Sequence, residues 1–327
     1  MKILVVGGAG YIGSMTNQEL KKAGHQTVIF DSMEKGHQWA IEGTKLIEGN
    51  LLEKAQILKA LQQEKPDAVM HFAAYIQMGE SYEDPGKYYR NNVVGTLNLL
   101  EAMVDAEVDK IVFSSTAGVY GQPDSLPIAE DADKRPENPY GQTKLDIEHM
   151  LHWFNTAHNL NYVTLRYFNA AGAKLDGSLG EDHQPESHII PIFIQRVLQD
   201  KDFYIFGDNY DTEDGTCVRD YIHVLDLASA HIKAVKALEG AQEDDINTAY
   251  NVGTGHGYSN KQIAETIIKV TGTDSSYSYQ ERRPGDADTL VADASKIKEH
   301  LGWEPKHSDL ETIIESAWAW HQKHHKA

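Results

Sequence analysis

The amino-terminal end of the chain places a short apolar run directly before a glycine-rich turn. The apolar run is Lys2-Ile-Leu-Val-Val6, and the turn is Gly7-Gly-Ala-Gly10-Tyr-Ile-Gly13. A helical stretch follows over residues 11–23. Glycines at this spacing permit a tight turn, close approach of the backbone to a pyrophosphate and close helix packing. The sequence therefore predicts a buried parallel strand leading into a dinucleotide site at a helix N-terminus.

A second apolar strand supports this prediction and indicates which dinucleotide binds. Thr27-Val-Ile-Phe30 ends in Asp31, at the spacing expected for a carboxylate that accepts hydrogen bonds from the adenosine ribose hydroxyls. Because this carboxylate would repel a 2′-phosphate, NAD is favoured over NADP as the cofactor. The alternative is that Asp31 is an ordinary residue at a strand end.

Apolar strands alternate with helical stretches through the first half of the chain. Strands are predicted near 2–6, 27–31, 46–48, 68–72, 110–114 and 162–166, with helices at 91–105 and 142–158. This alternation predicts an α/β fold, a Rossmann-type doubly wound parallel sheet that binds ligands at the carboxyl ends of its strands. The NAD-binding domain is assigned to 1–170. A smaller, loop-rich substrate lobe is assigned to 171–327, and a segment near 217–240 is a candidate to return to the first domain.

Tyr140 and Lys144 form the candidate catalytic pair. They lie one turn apart on a predicted helix, so both side chains leave the same face. A nearby cation favours the ionised form of a phenol and lowers its pKa from about 10 toward the range in which a general base works. The pair is expected to take a proton from a sugar hydroxyl. The alternative is a chance Tyr-x-x-x-Lys on a helix surface.

Composition restricts the partners and the compartment. The 327 residues include 30 Lys and Arg against 49 Asp and Glu, a net charge of -19 that disfavours nucleic acid and anionic membranes as partners. A single cysteine, Cys217, fits a reducing compartment, and no apolar stretch is long enough for a signal peptide or a membrane span. The chain is therefore expected in the cytoplasm.

No metal is expected from the sequence. Metal-binding cysteine spacing is absent. His321, His324 and His325 near the C-terminus are interpreted as a solvated, frayed tail rather than as metal ligands.

Several motifs, spread over nearly the whole chain, resemble one known family. They occupy residues 7–13, 71–74, 91–96, 113–121, 139–144, 165–169, 215–224 and 282–286. Their order and spacing are similar to those of the extended short-chain dehydrogenase/reductase family, and in particular to its members that invert C4 of UDP-hexoses. The resemblance implies an NAD-dependent isomerase that interconverts UDP-galactose and UDP-glucose in galactose metabolism, as a homodimer.

The resemblance also implies how the reaction proceeds. Tyr140, as phenolate, takes the proton of the sugar 4-hydroxyl while hydride passes from C4 to NAD⁺. The 4-keto sugar then turns over, and hydride and proton return on its other face. Lys144 is implied to hold the nicotinamide ribose and to lower the pKa of Tyr140. Thr116, after the strand at 110–114, is implied to bridge the 4-oxygen and Tyr140.

The other site residues follow from the resemblance, position by position. The cofactor-binding positions are Gly7, Gly10, Tyr11, Ile12, Gly13, Asp31, Asn50, Leu51, Phe72, Ala73, Ala74, Asn91, Ser114, Tyr140, Lys144 and Tyr167. The substrate-binding positions are Thr116, Tyr140, Phe168, Asn169, His188, Tyr204, Phe206, Arg219, Arg283 and Asp286. The two arginines are implied to hold the UDP pyrophosphate, and Asp286 the uridine ribose. Tyr204 and Phe206 either frame the uracil or pack in the core.

Four positions depart from the family pattern, and one of them is Ile76, where some members carry a lysine near the cofactor. Asn50 stands where aspartate usually binds the adenine amine, although an amide oxygen accepts the same hydrogen bond. His188 replaces an asparagine near the sugar. Leu290 replaces a tyrosine that accompanies restriction to plain hexoses. Leucine is smaller than tyrosine but branched, so this position leaves the acceptance of N-acetylated sugars undecided. Dominant UDP-glucose and UDP-galactose activity is predicted, with weak activity on UDP-N-acetylhexosamines.

Rival functions remain open to different degrees. A 4,6-dehydratase is disfavoured because Ala117 and Gly118 lack the acid and base that its chemistry needs after the threonine. A related epimerase or decarboxylase acting on UDP-N-acetylglucosamine or UDP-glucuronate is the main alternative. An NAD-binding sensor without activity would have little reason to keep the catalytic pair.

The helix that carries the catalytic pair is also the implied dimer contact. Its apolar residues either meet a partner or pack inward. They are Ile147, Met150, Leu151 and Phe154.

Overall fold

A seven-stranded parallel sheet forms the centre of the protein. The computed structural model describes residues 1–240, 245–282 and 287–324. The strands of this sheet are β1 Lys2–Val6, β2 Gln26–Asp31, β3 Lys45–Glu48, β4 Ala68–His71, β5 Lys110–Thr116, β6 Asn161–Tyr167 and β10 Thr248–Val252. They lie in the order β10-β6-β5-β4-β1-β2-β3, and every neighbouring pair is parallel. The predicted Rossmann-type sheet is confirmed.

Helices cover both faces of the sheet. One face carries α1 Tyr11–Lys22 and α8 Val224–Gly240, and the other carries α2 Lys54–Glu64, α5 Gly95–Asp105 and α6 Pro139–His158. Residues 3 and 5 of β1 join the first apolar core, whereas residues 4 and 6 join the second. Burial on both faces explains why this strand is a continuous apolar run instead of an alternating one.

The second lobe consists of short strands and helices. Its strands are β7 Asn169–Ala171, β8 Phe203–Phe206, β9 Val218–His223, β11 Gly257–Ser259, β12 Tyr277–Gln280 and β13 Thr289–Leu290. The later helices are α7 Ile189–Leu198, α9 Asn260–Thr271, α10 Ser295–Leu301 and α11 Leu310–His324. Two short helices, α3 Met78–Glu83 and α4 Pro85–Tyr88, lie in the first part of the chain, after β4. Helices α7, α9 and α11 enclose a separate apolar core with β8.

The chain crosses between the two parts more often than the sequence indicates. Helix α8, within the predicted returning segment, packs on β5 and β6. Strand β10 also returns, although its residues were assigned to the second lobe, and it pairs with β6 at the sheet edge. Tyr250 and Val252 are fully buried there, so the return extends the main core.

The predicted helix at 91–105 begins with a π-helical turn. This turn spans Tyr89–Val94 and leads into α5. It places the buried Asn92 side chain against the Tyr75 backbone, where Oδ1 accepts from the N–H at 2.9 Å and Nδ2 donates to the carbonyl at 3.1 Å. Nδ2 also donates to Thr143 Oγ1 of α6 at 3.1 Å. The wider turn thus links the loop after β4 to the helix that carries Tyr140.

The interpretation of the C-terminal histidines as a frayed tail is wrong for the two that are described. His321 is buried on α11, and the ring of His324 stacks on Trp320 with centroids 3.7 Å apart. The apolar face of α11 orders this end of the chain. His325 lies outside the described residues.

Within the part of the chain that the structure describes, no helix combines the length and hydropathy needed to cross a bilayer.

Candidate active site

The glycine-rich turn brings backbone segments closer together than side chains would permit. A Cβ on Gly13 would lie 2.2 Å from the carbonyl oxygen of Gly7, and one on Gly7 would lie 2.4 Å from the backbone nitrogen of Ala73. Gly7 has φ +79°, which favours glycine. Gly10, the N-cap of α1, has no side chain with which to cap the helix. The first-turn N–H groups, including those of Tyr11 and Ile12, therefore suit a phosphate group.

Asp31 lies at the end of β2, beside this turn. Its Oδ2 accepts a hydrogen bond from the Ala9 N–H at 2.9 Å, and its Oδ1 accepts from the Met33 N–H at 2.9 Å. These bonds orient the carboxylate at the sheet edge, where each oxygen keeps capacity to accept from a ribose hydroxyl. The structure therefore fits a dinucleotide with a free 2′-hydroxyl.

The adenine-side positions lie after β3. Asn50 Oδ1 accepts from the Leu52 N–H at 2.9 Å, so this amide already forms a local turn. Leu51 is buried, and its carbonyl accepts from Asn98 Nδ2 at 2.9 Å. Asn50 thus keeps one oxygen lone pair for an adenine amine.

The positions after β4 also line the carboxyl edge. The ring of Phe72 packs on His231 at 4.7 Å, and the Ala73 N–H donates to the Val6 carbonyl at 3.2 Å. Ala74 follows in the same loop, half-buried. Asn91, in the π-helical turn, donates from Nδ2 to Asn92 Oδ1 at 3.0 Å.

Tyr140, Lys144 and Thr116 are brought together from β5 and α6. Asn138 caps α6 by accepting from the Gly141 N–H at 2.8 Å, and this cap fixes the start of the helix next to β5. Lys144 is 2% exposed and donates to the Ser114 carbonyl at 2.8 Å. Thr116 Oγ1 accepts from the Gly118 N–H at 3.1 Å and forms a second hydrogen bond with the Tyr140 phenol.

Burial controls the pKa values of the catalytic pair. It raises the pKa of Tyr140 to about 12, and the hydrogen bond with Thr116 opposes this rise. It also lowers the pKa of Lys144 to about 7, against the influence of Glu148. Burial therefore outweighs any lowering of the Tyr140 pKa by Lys144 in this structure, and the lowering expected from the sequence stays a prediction. A phenolate at neutral pH requires another positive charge in the site.

A buried ion pair behind the catalytic helix was missed in the sequence. Arg166 of β6 and Glu148 of α6 lie 2.6 Å apart with both side chains at least nine-tenths buried. Glu148 Oε1 also accepts from Ser115 Oγ at 2.5 Å, which ties α6 to β5. The only signal in the sequence for this ion pair is that Glu148 follows Lys144 by one helical turn, which places its carboxylate on the same face of the helix.

His231 of α8 was missed as well. Its Nε2 lies 2.9 Å from Ser114 Oγ, and its Nδ1 donates to the Leu227 carbonyl at 2.9 Å. Burial lowers the pKa of His231 to about 4, so the ring is neutral and its Nε2 accepts a hydrogen bond from the Ser114 hydroxyl. The helical spacing of the apolar residues around His231 was the sequence signal that this side chain is buried.

The substrate-side residues lie on β6, β7 and β9. Tyr167 pairs in register with Thr116, and Phe168 is buried behind it. Asn169 Nδ2 donates to the Asp220 carbonyl at 3.3 Å, and Arg219 donates from Nη1 to the Val218 carbonyl at 2.9 Å.

The uracil-side residues are exposed on β8. Tyr204 is 43% exposed and Phe206 36%, whereas Phe203 and Ile205 on the other face of the strand are fully buried. The core-packing interpretation of Tyr204 and Phe206 is therefore wrong, because the strand alternates. Arg283 and Asp286 lie outside the described residues.

His188 is the N-cap residue of α7 and lies among charged side chains. Its Nδ1 is 2.5 Å from Glu181 Oε1 and 3.6 Å from Glu186 Oε1. Partial desolvation of this side chain, which is 45% exposed, favours the neutral ring, but the carboxylates outweigh it and raise the pKa of His188 to about 10.

Comparison with known proteins agrees with this geometry. Residues 3–253 match the NAD dependent epimerase/dehydratase family. The chain belongs to this family. It is 49% identical to a UDP-glucose 4-epimerase of Lactobacillus helveticus, covering 100% of this chain and 98% of the relative.

Solved structures of proteins named UDP-glucose 4-epimerase superpose over nearly the whole chain. The UDP-glucose 4-epimerase from Brucella ovis in complex with NAD is 46% identical, with a TM-score of 0.94 and 97% of each chain covered. The enzyme from Bifidobacterium longum in complex with NAD⁺ and UDP is 36% identical, with a TM-score of 0.92, covering 99% of this chain and 98% of that one.

Proposed function

We propose that the protein is an NAD-dependent isomerase that interconverts UDP-galactose and UDP-glucose. The observation that carries this proposal is the hydrogen-bonded pair of Tyr140 and Thr116, with Lys144 buried one turn away, at the carboxyl edge of a dinucleotide-binding sheet. Relatives at 43–49% identity over nearly the whole chain are named UDP-glucose 4-epimerase.

The residues that would hold NAD surround the carboxyl edge of β1, β2 and β4. The turn formed by Gly7, Gly10 and Gly13 suits the pyrophosphate, and Asp31 suits the adenosine ribose. When bound, NAD⁺ supplies the hydride acceptor for the sugar C4 and a positive charge beside Tyr140. Lys144 would hydrogen-bond the nicotinamide ribose.

Tyr140 then acts as the proton carrier at the 4-hydroxyl. Thr116 donates its hydroxyl proton toward Tyr140, which stabilises the phenolate, while its Oγ1 is held by the Gly118 N–H. Tyr140 removes the 4-hydroxyl proton in one direction and returns it in the other. Net inversion at C4 requires the sugar to present both faces to the same hydride position.

The nucleotide would anchor the sugar during this turnover. We assign the pyrophosphate to Arg219 and Arg283, and the uridine to Asp286, Tyr204 and Phe206. The two aromatic side chains are exposed and therefore available to a base. Asn169 and Phe168 would border the sugar.

Leu290 governs the substrate range in this proposal. It lies on β13, pairs in register with Arg219 and packs, half-buried, in the cluster that contains Phe168. Its branched side chain leaves less room than a small residue would. We therefore expect the hexose pair to be turned over faster than the N-acetylated pair.

The decisive experiment mixes purified protein with UDP-galactose, without added cofactor, and measures UDP-glucose. Turnover is expected, because the NAD remains bound.

Tyr140→Phe should lower kcat by roughly 10²-fold or more, because the proton carrier is lost, and should still bind UDP and NAD. Tyr162→Phe is the matched control, since this buried tyrosine lies at the amino-terminal end of β6. An unchanged rate in Tyr140→Phe would contradict the assignment, and faster turnover of UDP-N-acetylgalactosamine or UDP-galacturonate would change the substrate.

We further propose a cytoplasmic homodimer that pairs through α5 and α6. The apolar residues of α6 considered for this contact pack inward, with Ile147 and Leu151 buried in the core. Trp153, 66% exposed on α6, and Val94, 44% exposed just before α5, remain available to a partner. Light scattering of Trp153→Glu, expected to be monomeric, tests this arrangement against the wild type.

A further inference from the structure

The segment at 181–188 connects the second-lobe loops to α7 and concentrates four metal-ligating side chains. They follow the pattern Glu-x-His-x-x-Glu-x-His, and one ligand atom from each lies within 4.8 Å of all the others. These four residues are Glu181, His183, Glu186 and His188.

The separations between the four ligand atoms suit a single ion. Nδ1 of His183 is 3.0 Å from Glu181 Oε1 and 3.9 Å from Glu186 Oε1. Nδ1 of His188 is 2.5 Å and 3.6 Å from the same two oxygens. A tetrahedral zinc with ligands at about 2.0–2.2 Å separates them by roughly 3.3–3.6 Å. The observed distances lie on both sides of that value, and the His188–Glu181 contact at 2.5 Å would have to lengthen for both atoms to bind the ion.

A second observation points to a ligand at this position. The side chains of Glu181 and Glu186 are only 4% and 5% exposed. Among the described residues, Oε2 of Glu186 is buried without a hydrogen-bond partner. Oε1 of Glu186 is oriented by the N–H groups of Ser187 at 2.7 Å and His188 at 2.9 Å. A buried unpaired polar atom is costly, and a bound cation would satisfy Oε2 of Glu186.

The chemistry of the four ligands favours zinc. Two imidazoles and two carboxylates form a nitrogen and oxygen set that balances the charge of a divalent ion when both rings are neutral. Calcium and magnesium prefer six or more oxygen ligands, which this cluster does not offer. Four protein ligands close the coordination sphere, as in structural rather than catalytic zinc sites.

We propose that Glu181, His183, Glu186 and His188 bind one structural Zn²⁺. This assignment departs from the absence of a metal expected from the sequence. The ion would fix a segment that contacts both parts of the molecule. The Glu181 carbonyl accepts from Trp320 Nε1 of α11 at 3.0 Å, and the Asp182 carbonyl lies 3.0 Å from His37 Nε2 after β2.

The same segment lies beside the cofactor turn. Gln77 Nε2 donates to the Pro185 carbonyl at 3.3 Å, and the ring of His183 lies edge-on to Tyr11 with centroids 6.3 Å apart. The proposed ion is therefore placed to hold the loops after β2 and β4 against the second lobe.

The test measures metal content in untagged, full-length protein purified in the presence of Zn²⁺. We expect about one tightly held zinc per chain, and removal by a chelator should lower the thermal midpoint by several degrees, restored on adding Zn²⁺. His183→Gln and Glu186→Gln should each lose at least about tenfold in zinc affinity. His149→Gln, on the exposed face of α6, is the matched control and should bind zinc as the wild type does.

The opposite results would overturn the proposal. One such result is that the wild type holds no zinc and is not stabilised by adding it. The other is that the His183→Gln and Glu186→Gln variants bind zinc as tightly as the control, His149→Gln. The first result would indicate instead two protonated histidines paired with the two carboxylates. If the variants do not fold, the wild type loaded with Co²⁺ decides, because a tetrahedral site gives characteristic visible absorption bands and their absence refutes it. None of these measurements depends on epimerase activity.

Discussion

Tyr140 lies in a position where burial and catalysis oppose each other. Burial excludes water from the reacting atoms but favours the neutral phenol. Of the groups around it, the Thr116 hydroxyl is the one whose hydrogen bond lowers the pKa of Tyr140. Thr116 therefore has a measurable role as a donor to the base.

Replacing Thr116 by valine tests that role. Thr116→Val keeps the side-chain shape but removes the hydroxyl, so the pKa of Tyr140 should rise further. Because the base acts in its ionised form, the pH profile of kcat should move to higher pH, and kcat at pH 7 should fall about tenfold for every pH unit that the profile moves. Thr116→Ser, which keeps the hydroxyl, should retain the wild-type profile. An unchanged profile in Thr116→Val would exclude the hydrogen bond as a determinant of the pKa.

The β1–α1 unit depends on glycine for two separate reasons. At Gly13, a Cβ would collide with the Gly7 carbonyl at 2.2 Å, so glycine is needed for the fold of the turn itself. At Gly10, the nearest atom to an added Cβ is the same carbonyl at 3.6 Å, which is an ordinary contact. Glycine at position 10 instead leaves the space in front of the helix N-terminus open for a phosphate group of the cofactor.

Alanine substitutions should separate these two roles. Gly13→Ala is expected to lower the urea midpoint strongly, because backbone atoms must move apart. Gly10→Ala is expected to lose bound NAD, measured by releasing the dinucleotide from denatured protein, and to keep the wild-type midpoint when both proteins are compared free of NAD. Equal stability of the two variants would contradict the assignment of Gly13 to the fold.

At the scale of elements, the sequence predicts the main sheet well because buried parallel strands are continuous apolar runs. Each predicted strand of the first half appears with its ends displaced by at most two residues. Strand β10 was missed because its partner β6 lies far away in sequence. The π-helical turn was missed because its cause, the contacts of Asn92 with Tyr75 and Thr143, is tertiary.

Three buried histidines link the stability of the whole molecule to pH. Burial lowers the pKa of His71 to about 3 and the pKa values of His223 and His231 to about 4. In the unfolded chain their pKa is about 6.5. The unfolded state therefore binds more protons as the pH falls from about 6.5 toward 4, and the folded state loses stability over that range.

Acid sensitivity should decrease when one of these rings is replaced. The free energy of unfolding of the wild type, measured by urea titration, should fall from pH 6.5 to 4.5. His231→Gln should start from a lower stability at pH 7, because the contact with Ser114 is weakened. Its fall should be shallower by up to about 1.4 kcal/mol per pH unit. His149→Gln, exposed on α6, should follow the wild-type slope, and an identical slope in His231→Gln would refute the neutral buried ring.

The sequence by itself determined the parallel sheet, the glycine turn with Asp31, and the spacing of Tyr140 and Lys144, because these features depend on neighbours along the chain. Tertiary structure decided the direction in which the pKa values of that pair shift, since burial raises that of Tyr140 and lowers that of Lys144. It also brought Arg166 to Glu148 and His231 to Ser114, contacts between elements distant in sequence. Local spacing fixes which side chains share a face, whereas only packing fixes how much water and charge surround them.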